Sequence, residues 1–82
     1  MAKKDKEIEK QLKQIGDRLK ELRKASGFTS SEKFAYKNDI NRSQYGKYEA
    51  GMDLRMSSFL KVLRAMKITP KEFFDTDSKK PT

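Results

Sequence analysis

Ile8, Leu12, Ile15, Leu19 and Leu22 recur at intervals of four, three, four and three residues. That spacing lays all five along one side of an α-helix, whereas a half-buried strand would alternate at every second residue. It is the strongest periodic signal in a chain of 82 residues that is 34% apolar and 39% charged. So few apolar side chains can build one small core from amphipathic helices, with no second domain beside it. The first helix should end at "ASGF", where Gly27 can adopt the left-handed conformation and Lys24 sits favourably against the helix dipole. Its opening, "KKDKEIEKQLKQ", can extend the helix through i,i+4 charge pairs worth a few tenths of a kcal/mol each.

Four further short helices follow in the pattern. In "TSSEKFAYKND", Thr29 and Glu32 match a T-x-x-E capping box, so a second helix should start there. It buries Phe34 and Ala35 and stops at Asn38 and Asp39, which tolerate positive φ better than most non-glycines. Asn41 reads as the N-cap of a third helix running from about Arg42 to Ala50 and closing at Gly51. "MDLR" is a loop. "MSSFLKVLRAMK" makes the fourth helix, with Met56, Phe59, Leu60, Leu63 and Met66 at helical spacing. Thr69, Pro70 and Glu72 open a fifth as cap, first-turn proline and the end of a second T-x-x-E box. The expected fold class is all-α, five helices with an extended first helix. The polar tail, residues 76–82, is expected to be disordered.

The third helix poses a question of its own. Arg42, Ser43, Gly46, Lys47 and Ala50 share one face, and Tyr45, Tyr48 and Glu49 turn the other way, into the domain. The outward face thus carries a forked cation, a hydroxyl, a bare stretch of backbone and a second cation. Arg can donate two hydrogen bonds to guanine O6 and N7, Lys can reach the same edge or a phosphate, and Ser can bond either, so the face fits a DNA major groove. A mid-helix Gly costs about 1 kcal/mol relative to Ala. Either Gly46 lets the helix approach DNA closely or a neighbouring side chain packs tightly against it.

Charge is compatible with a polyanionic partner. The formal net charge is +8, and it is uneven: residues 1–26 carry +4, residues 27–51 carry +1 and residues 52–82 carry +3. Long-range attraction would therefore come from the flanks of the third helix. Lys13, Lys20, Lys61 and Lys67 read first as solvated helix faces, whereas Lys3, Lys4 and Lys6 could form an arm along a groove. With no Cys and no His, thiolate, imidazole and disulfide chemistry are excluded. The acids are scattered among lysines, so catalysis, a metal site and a cofactor are not expected. No apolar run approaches the roughly 20 residues that span a bilayer, and no secretory signal is visible. A cytoplasmic protein without membrane contact is the expectation.

"IGDRLKELRKASGFT", "FA" in the second helix, "INRSQYGKYEAG" and "SSFLKVLRAMKITPKEFF" together resemble the lambda-repressor-like, Xre/Cro-type helix-turn-helix family across residues 15–74. In that family the third helix enters the major groove and the second crosses the DNA backbone. The resemblance implies that Arg42, Ser43 and Lys47 face bases, with Asn41 and Gln44 flanking them. It also implies that Arg23 and Glu49 pair between the first and third helices. The chain departs from the family at the start of the second helix, where a phosphate-contacting Gln is usual and "TSSEK" stands instead; Ser30 or Ser31 would take that contact. Asp39 stands where Gly is usual in the turn. Ala50 stands where a polar phosphate contact is common, and Arg55 in the next loop would supply it.

The resulting expectation is a sequence-specific transcriptional regulator that binds double-stranded DNA at a palindromic operator as a homodimer. Residues 1–12 form a basic extension of the first helix and residues 13–75 the DNA-binding domain. Phe73 and Phe74 are adjacent, too close for a short helix to bury both, so one is a candidate dimer contact. The Ile8–Leu12 extension is the competing surface, though two turns are too short for a stable coiled coil. Two alternatives remain open: an antitoxin that also binds a toxin protein, and a protein-interaction module that keeps the fold without reading DNA.

Overall fold

In the computed structural model, residues 5–75 are described. They form five helices: α1 (Lys6–Ala25), α2 (Ser31–Lys37), α3 (Arg42–Glu49), α4 (Met56–Met66) and α5 (Pro70–Phe74). The arm residues Lys3 and Lys4 and the tail 76–82 lie outside the described residues.

Local chemistry sets each helix end. Asp5 caps α1 by accepting from the N–H groups of Glu7 and Ile8, and the chain leaves the helix through Gly27 at φ +96°. The apolar stripe of α1 is covered unevenly. Leu19 is fully buried and Ile15 and Leu22 partly so, but Ile8 is 52% exposed. The other buried positions on this helix are Gly16 and Arg23. They show that the protein's interior reaches α1 beside the stripe as well as along it.

The expected capping box of α2 is shifted by one residue. Ser30, not Thr29, is the N-cap, and its hydroxyl accepts from the Lys33 N–H at 3.3 Å. Glu32 is therefore in the first turn and not at the third helical position, so the reciprocal bond of a box is not formed. Phe34 and Ala35 are fully buried, and Phe34 joins Phe28 and Tyr45 in a run of ring contacts with centroids 5.0–5.4 Å apart.

On α4 the buried set differs from the expected one. Phe59, Val62, Leu63 and Met66 face inward, while Met56 is 66% and Leu60 44% exposed. Leu60 and Leu63 fall on opposite margins of the apolar arc, and the core takes Val62 instead of Leu60. The helix stops at Met66, where Lys67 takes the left-handed conformation at φ +63°. Thr69 and Glu72 form the second capping box, with Pro70 at the start of α5. Arg18 of α1 holds α5 in place: its Nε donates to the Phe73 carbonyl at 3.1 Å and its guanidinium lies 5.9 Å from the Phe73 ring centroid. Phe73 is buried against Phe59. Each fully buried large side chain in this core contributes roughly 1.5–3 kcal/mol.

Candidate nucleic-acid interface

The α2–α3 pair is joined by a tight turn. Asn38 donates from its side-chain amide to the Phe34 carbonyl at 2.8 Å, and the Ile40 N–H reaches back to the Ala35 carbonyl at 2.8 Å. Between them Asp39 sits at φ +59°, the left-handed region that a non-glycine enters at some cost. Its carbonyl accepts from Lys61 Nζ of α4 at 3.1 Å, so Lys61 is more than the solvated cation its sequence context suggests. Asn41 then caps α3, with Oδ1 accepting from the Gln44 N–H at 2.9 Å. Its amide NH2 is left to point outward.

Tyr45, fully buried, and Tyr48, at 9% exposure, root α3 in the core. Arg42, Ser43, Gln44 and Lys47 are exposed together. Gly46 lies among them, and a Cβ built there would have nothing within 4 Å. No neighbour within the protein requires the missing side chain, which removes the packing explanation for this glycine.

Behind the exposed face, α3 is clamped to α1. Arg23 donates from Nε to Glu49 Oε2 at 2.8 Å and from Nη2 to Oε1 at 2.9 Å, and its Nη1 donates to the Phe28 carbonyl at 2.9 Å. The two side chains are 5% and 9% exposed. Burial alone would push the Glu49 carboxyl up, but the forked hydrogen bonds and charge of Arg23 outweigh it and hold the carboxyl below its ordinary value. The bond to Glu49 likewise raises the Arg23 guanidinium. Tyr45 stands close enough to feel both partners, yet its buried hydroxyl makes no hydrogen bond of acceptable geometry. Burial pushes that phenol up, so it is neutral throughout the useful pH range.

Gly16 completes the clamp. A Cβ there would lie 2.6 Å from the carbonyl oxygens of both Tyr48 and Glu49, so α1 meets the last turn of α3 backbone to backbone. Gly16, Arg18 and Lys61 are functional supports that sequence reasoning missed. For Gly16 a signal existed, a glycine within a strongly helical pattern. Nothing local marked the other two.

The remaining candidates are spread around this centre. Ser30 is occupied as the cap of α2 but keeps its hydroxyl proton free, and Ser31 begins the helix, partly exposed. Arg55 is exposed at the start of α4. Of the two adjacent phenylalanines, Phe73 is 1% exposed and so is withdrawn as a dimer contact, whereas Phe74 is 56% exposed. Among the described residues no helix is long and apolar enough to cross a membrane.

No protein-family model matches the chain, and no curated protein matches it. A solved structure does. The restriction-modification controller protein C.AhdI from Aeromonas hydrophila is 36% identical, with 80% of this chain and 96% of that one covered and a TM-score of 0.72. The chain belongs to the Xre/Cro-type helix-turn-helix family. In helix-turn-helix terms α2 and α3 are the motif and α3 is its recognition helix. The exposed row on α3 is therefore the candidate reading surface of a helix-turn-helix protein, and the Arg23–Glu49 clamp is the support behind it.

Proposed function

We propose that the protein is a sequence-specific transcriptional regulator whose α3 enters the major groove of a palindromic operator, each half read by one subunit of a homodimer. The observation that carries this reading is the outward row of Arg42, Ser43 and Lys47 around an open Gly46. Arg42 offers two donors to a guanine edge, Ser43 and Lys47 extend the reach along the groove, and Asn41 and Gln44 flank them. Gly46 brings bare backbone to the groove floor or wall. Ser30, Ser31 and Arg55 serve as contacts to phosphate, which position the helix without reading sequence. By likeness to the controller protein C.AhdI, the genes under control are those of a restriction-modification system.

One recognition helix reads only about 4–6 base pairs, so a dimer on two half-sites one helical turn apart supplies the specificity a regulator needs. Phe74 is the subunit contact assigned to the purpose, with exposed Met56 and Leu60 on α4 as candidate neighbours.

Selection of binding sites from a random duplex pool, followed by titration of the enriched site against scrambled DNA at two salt concentrations, tests this reading. An enriched inverted repeat preferred by about 10³-fold or more supports it. Weak binding that salt abolishes, with nothing enriched, would leave the charge without a reader and refute it.

A further inference from the structure

A cleft of about 420 Å³ runs alongside the reading face, between α3 and the first turn of α4. Gln44, Tyr48, Asp53, Leu54, Arg55 and Ser58 form its walls. Gln44 lies roughly 60° around α3 from Lys47, so the cleft opens at the edge of that face. Two independent features of this cleft call for a ligand.

The first is the start of α4. Asp5, Ser30, Asn41 and Thr69 each accept a hydrogen bond from the helix they precede, but the residue before α4 is Arg55, which carries donors only and makes no cap. The backbone N–H groups of Met56, Ser57 and Ser58 consequently have no acceptor within the helix, and they stand at the positive end of its dipole. The second is Tyr48. Its ring is packed edge-on against Tyr45, the residue is only 9% exposed, and its hydroxyl has no hydrogen-bond partner in the protein. A phenol held this rigidly at a cleft wall is a donor awaiting an acceptor.

We propose that this cleft binds a phosphodiester oxygen of the DNA backbone, with the Tyr48 hydroxyl and the uncapped start of α4 as its donors. The assignment rests on the DNA-binding reading above and adds to it a specific anion site. Arg55 brings the positive charge and Ser58 and the Gln44 amide further donors, while Asp53 is the one carboxylate in the wall. Arg55 and Asp53 offset one another. What remains is a helix dipole and neutral donors, a balance suited to a singly charged phosphodiester more than to doubly charged free phosphate. Tyr48 thus has two parts with two roles, a ring that belongs to the core and a hydroxyl that belongs to the DNA.

Tyr48→Phe keeps the ring and removes the hydroxyl. Its affinity for the selected operator is expected to fall about 3- to 10-fold, the worth of one hydrogen bond, and by the same factor for scrambled DNA. Replacing operator phosphates one at a time by neutral methylphosphonate should identify one position per half-site where the wild type loses affinity and Tyr48→Phe loses no more. Arg55→Ser and Arg55→Ala provide a second pair that does not depend on Tyr48. Both lose the charge, but Ser can cap α4 and satisfy the N–H groups internally, so the Ser protein should melt higher and bind DNA more weakly than the Ala protein. Tyr48→Phe binding like the wild type, or losing affinity additively with every methylphosphonate, overturns the proposal while leaving the DNA reading intact. Inorganic phosphate that erases the Tyr48-dependent difference at constant ionic strength overturns the assignment to the backbone. A wild type that binds neither operator nor scrambled DNA overturns both.

Discussion

Glu49 carries a charge at 9% side-chain exposure and is matched there by a single cation, Arg23, held by two parallel hydrogen bonds. Removing one member of such a pair leaves the other buried and uncompensated, so Glu49→Gln should destabilise the fold by about 3–5 kcal/mol, measured by urea unfolding. Replacing both partners with apolar residues of similar size should come close to neutral. The pair also sets a pH dependence. Because the folded carboxyl sits below its ordinary value of 4.5, the unfolded chain binds the proton first as pH falls. Stability from this group is complete above that value and drains away as pH drops towards the lower folded value. A wild-type curve with no more acid sensitivity than Glu49→Gln would contradict the assignment. At Gly46 the sign reverses. Open space around a Cβ means that Gly46→Ala should raise stability by roughly 0.5–1 kcal/mol. If the bare backbone serves DNA approach, the same change should weaken operator binding, and a stabilised protein with unchanged affinity would refute that role. The inward Tyr45 and Tyr48 and the outward Arg42 and Lys47 were legible in the sequence, since counting 100° per residue sorts them. The unbonded hydroxyls of Tyr45 and Tyr48 were not, because what surrounds a phenol depends on neighbours from other helices.

A helix of eight residues has too few internal hydrogen bonds to keep its own shape, so α3 depends on what holds its ends. Its start is fixed by the Asn41 cap and the turn at Asp39, and its end by Gly16 and Arg23. Gly16→Ala would drive a methyl group into two carbonyl oxygens at 2.6 Å, and either α1 or the last turn of α3 must move. A stability loss of about 1–3 kcal/mol is expected, together with a fall in preference for operator over scrambled DNA larger than the fall in scrambled-DNA affinity. Calorimetry and paired titrations would check this, and equal losses on both DNAs would mean that α3 keeps its seat. Helix existence and order were readable from periodicity and caps. Register was less so: two serines follow Thr29, and the cap falls on the first of them because only that offset sends both Phe34 and Ala35 into the core. On α4 both Leu60 and Val62 fit a helical repeat, and only the packing against α5 and the rest of the domain selects Val62. Arg18 escaped notice for the same reason, since its partners lie 54 and 55 residues away.

At the scale of the molecule, a net charge of +8 draws the protein to any duplex, and this non-specific attraction competes with the reading of one sequence. Two kinds of contact must then be separable in measurement. Arg42→Ala should cost on the order of 1–3 kcal/mol on the operator and blur the preference at one base step, while Arg55→Ala should weaken every sequence alike and shallow the salt slope by about one unit. Identical effects of both substitutions on all DNAs would sink the division into reading and positioning. Discrimination by a monomer's few base contacts remains modest, and doubling them through symmetry is the economical remedy. The surface has material for it: Phe74 is 56% exposed although its ring meets Phe59 and Phe73 at 5.6 and 5.0 Å, and Met56 and Leu60 stand exposed on the neighbouring helix. Such apolar side chains on a chain that is 39% charged are better spent on a partner than on water. Phe74→Arg should therefore shift sedimentation from dimer to monomer while costing only about 1 kcal/mol of fold stability, since half the ring is already in solvent. On DNA, the monomeric variant should retain its affinity for an isolated half-site yet lose most of the advantage of the full inverted repeat. Were the variant to remain dimeric, the exposed Ile8 on α1 would be the next surface to alter, and an inverted repeat bound no better than one half-site by the wild type would remove the need for a dimer altogether.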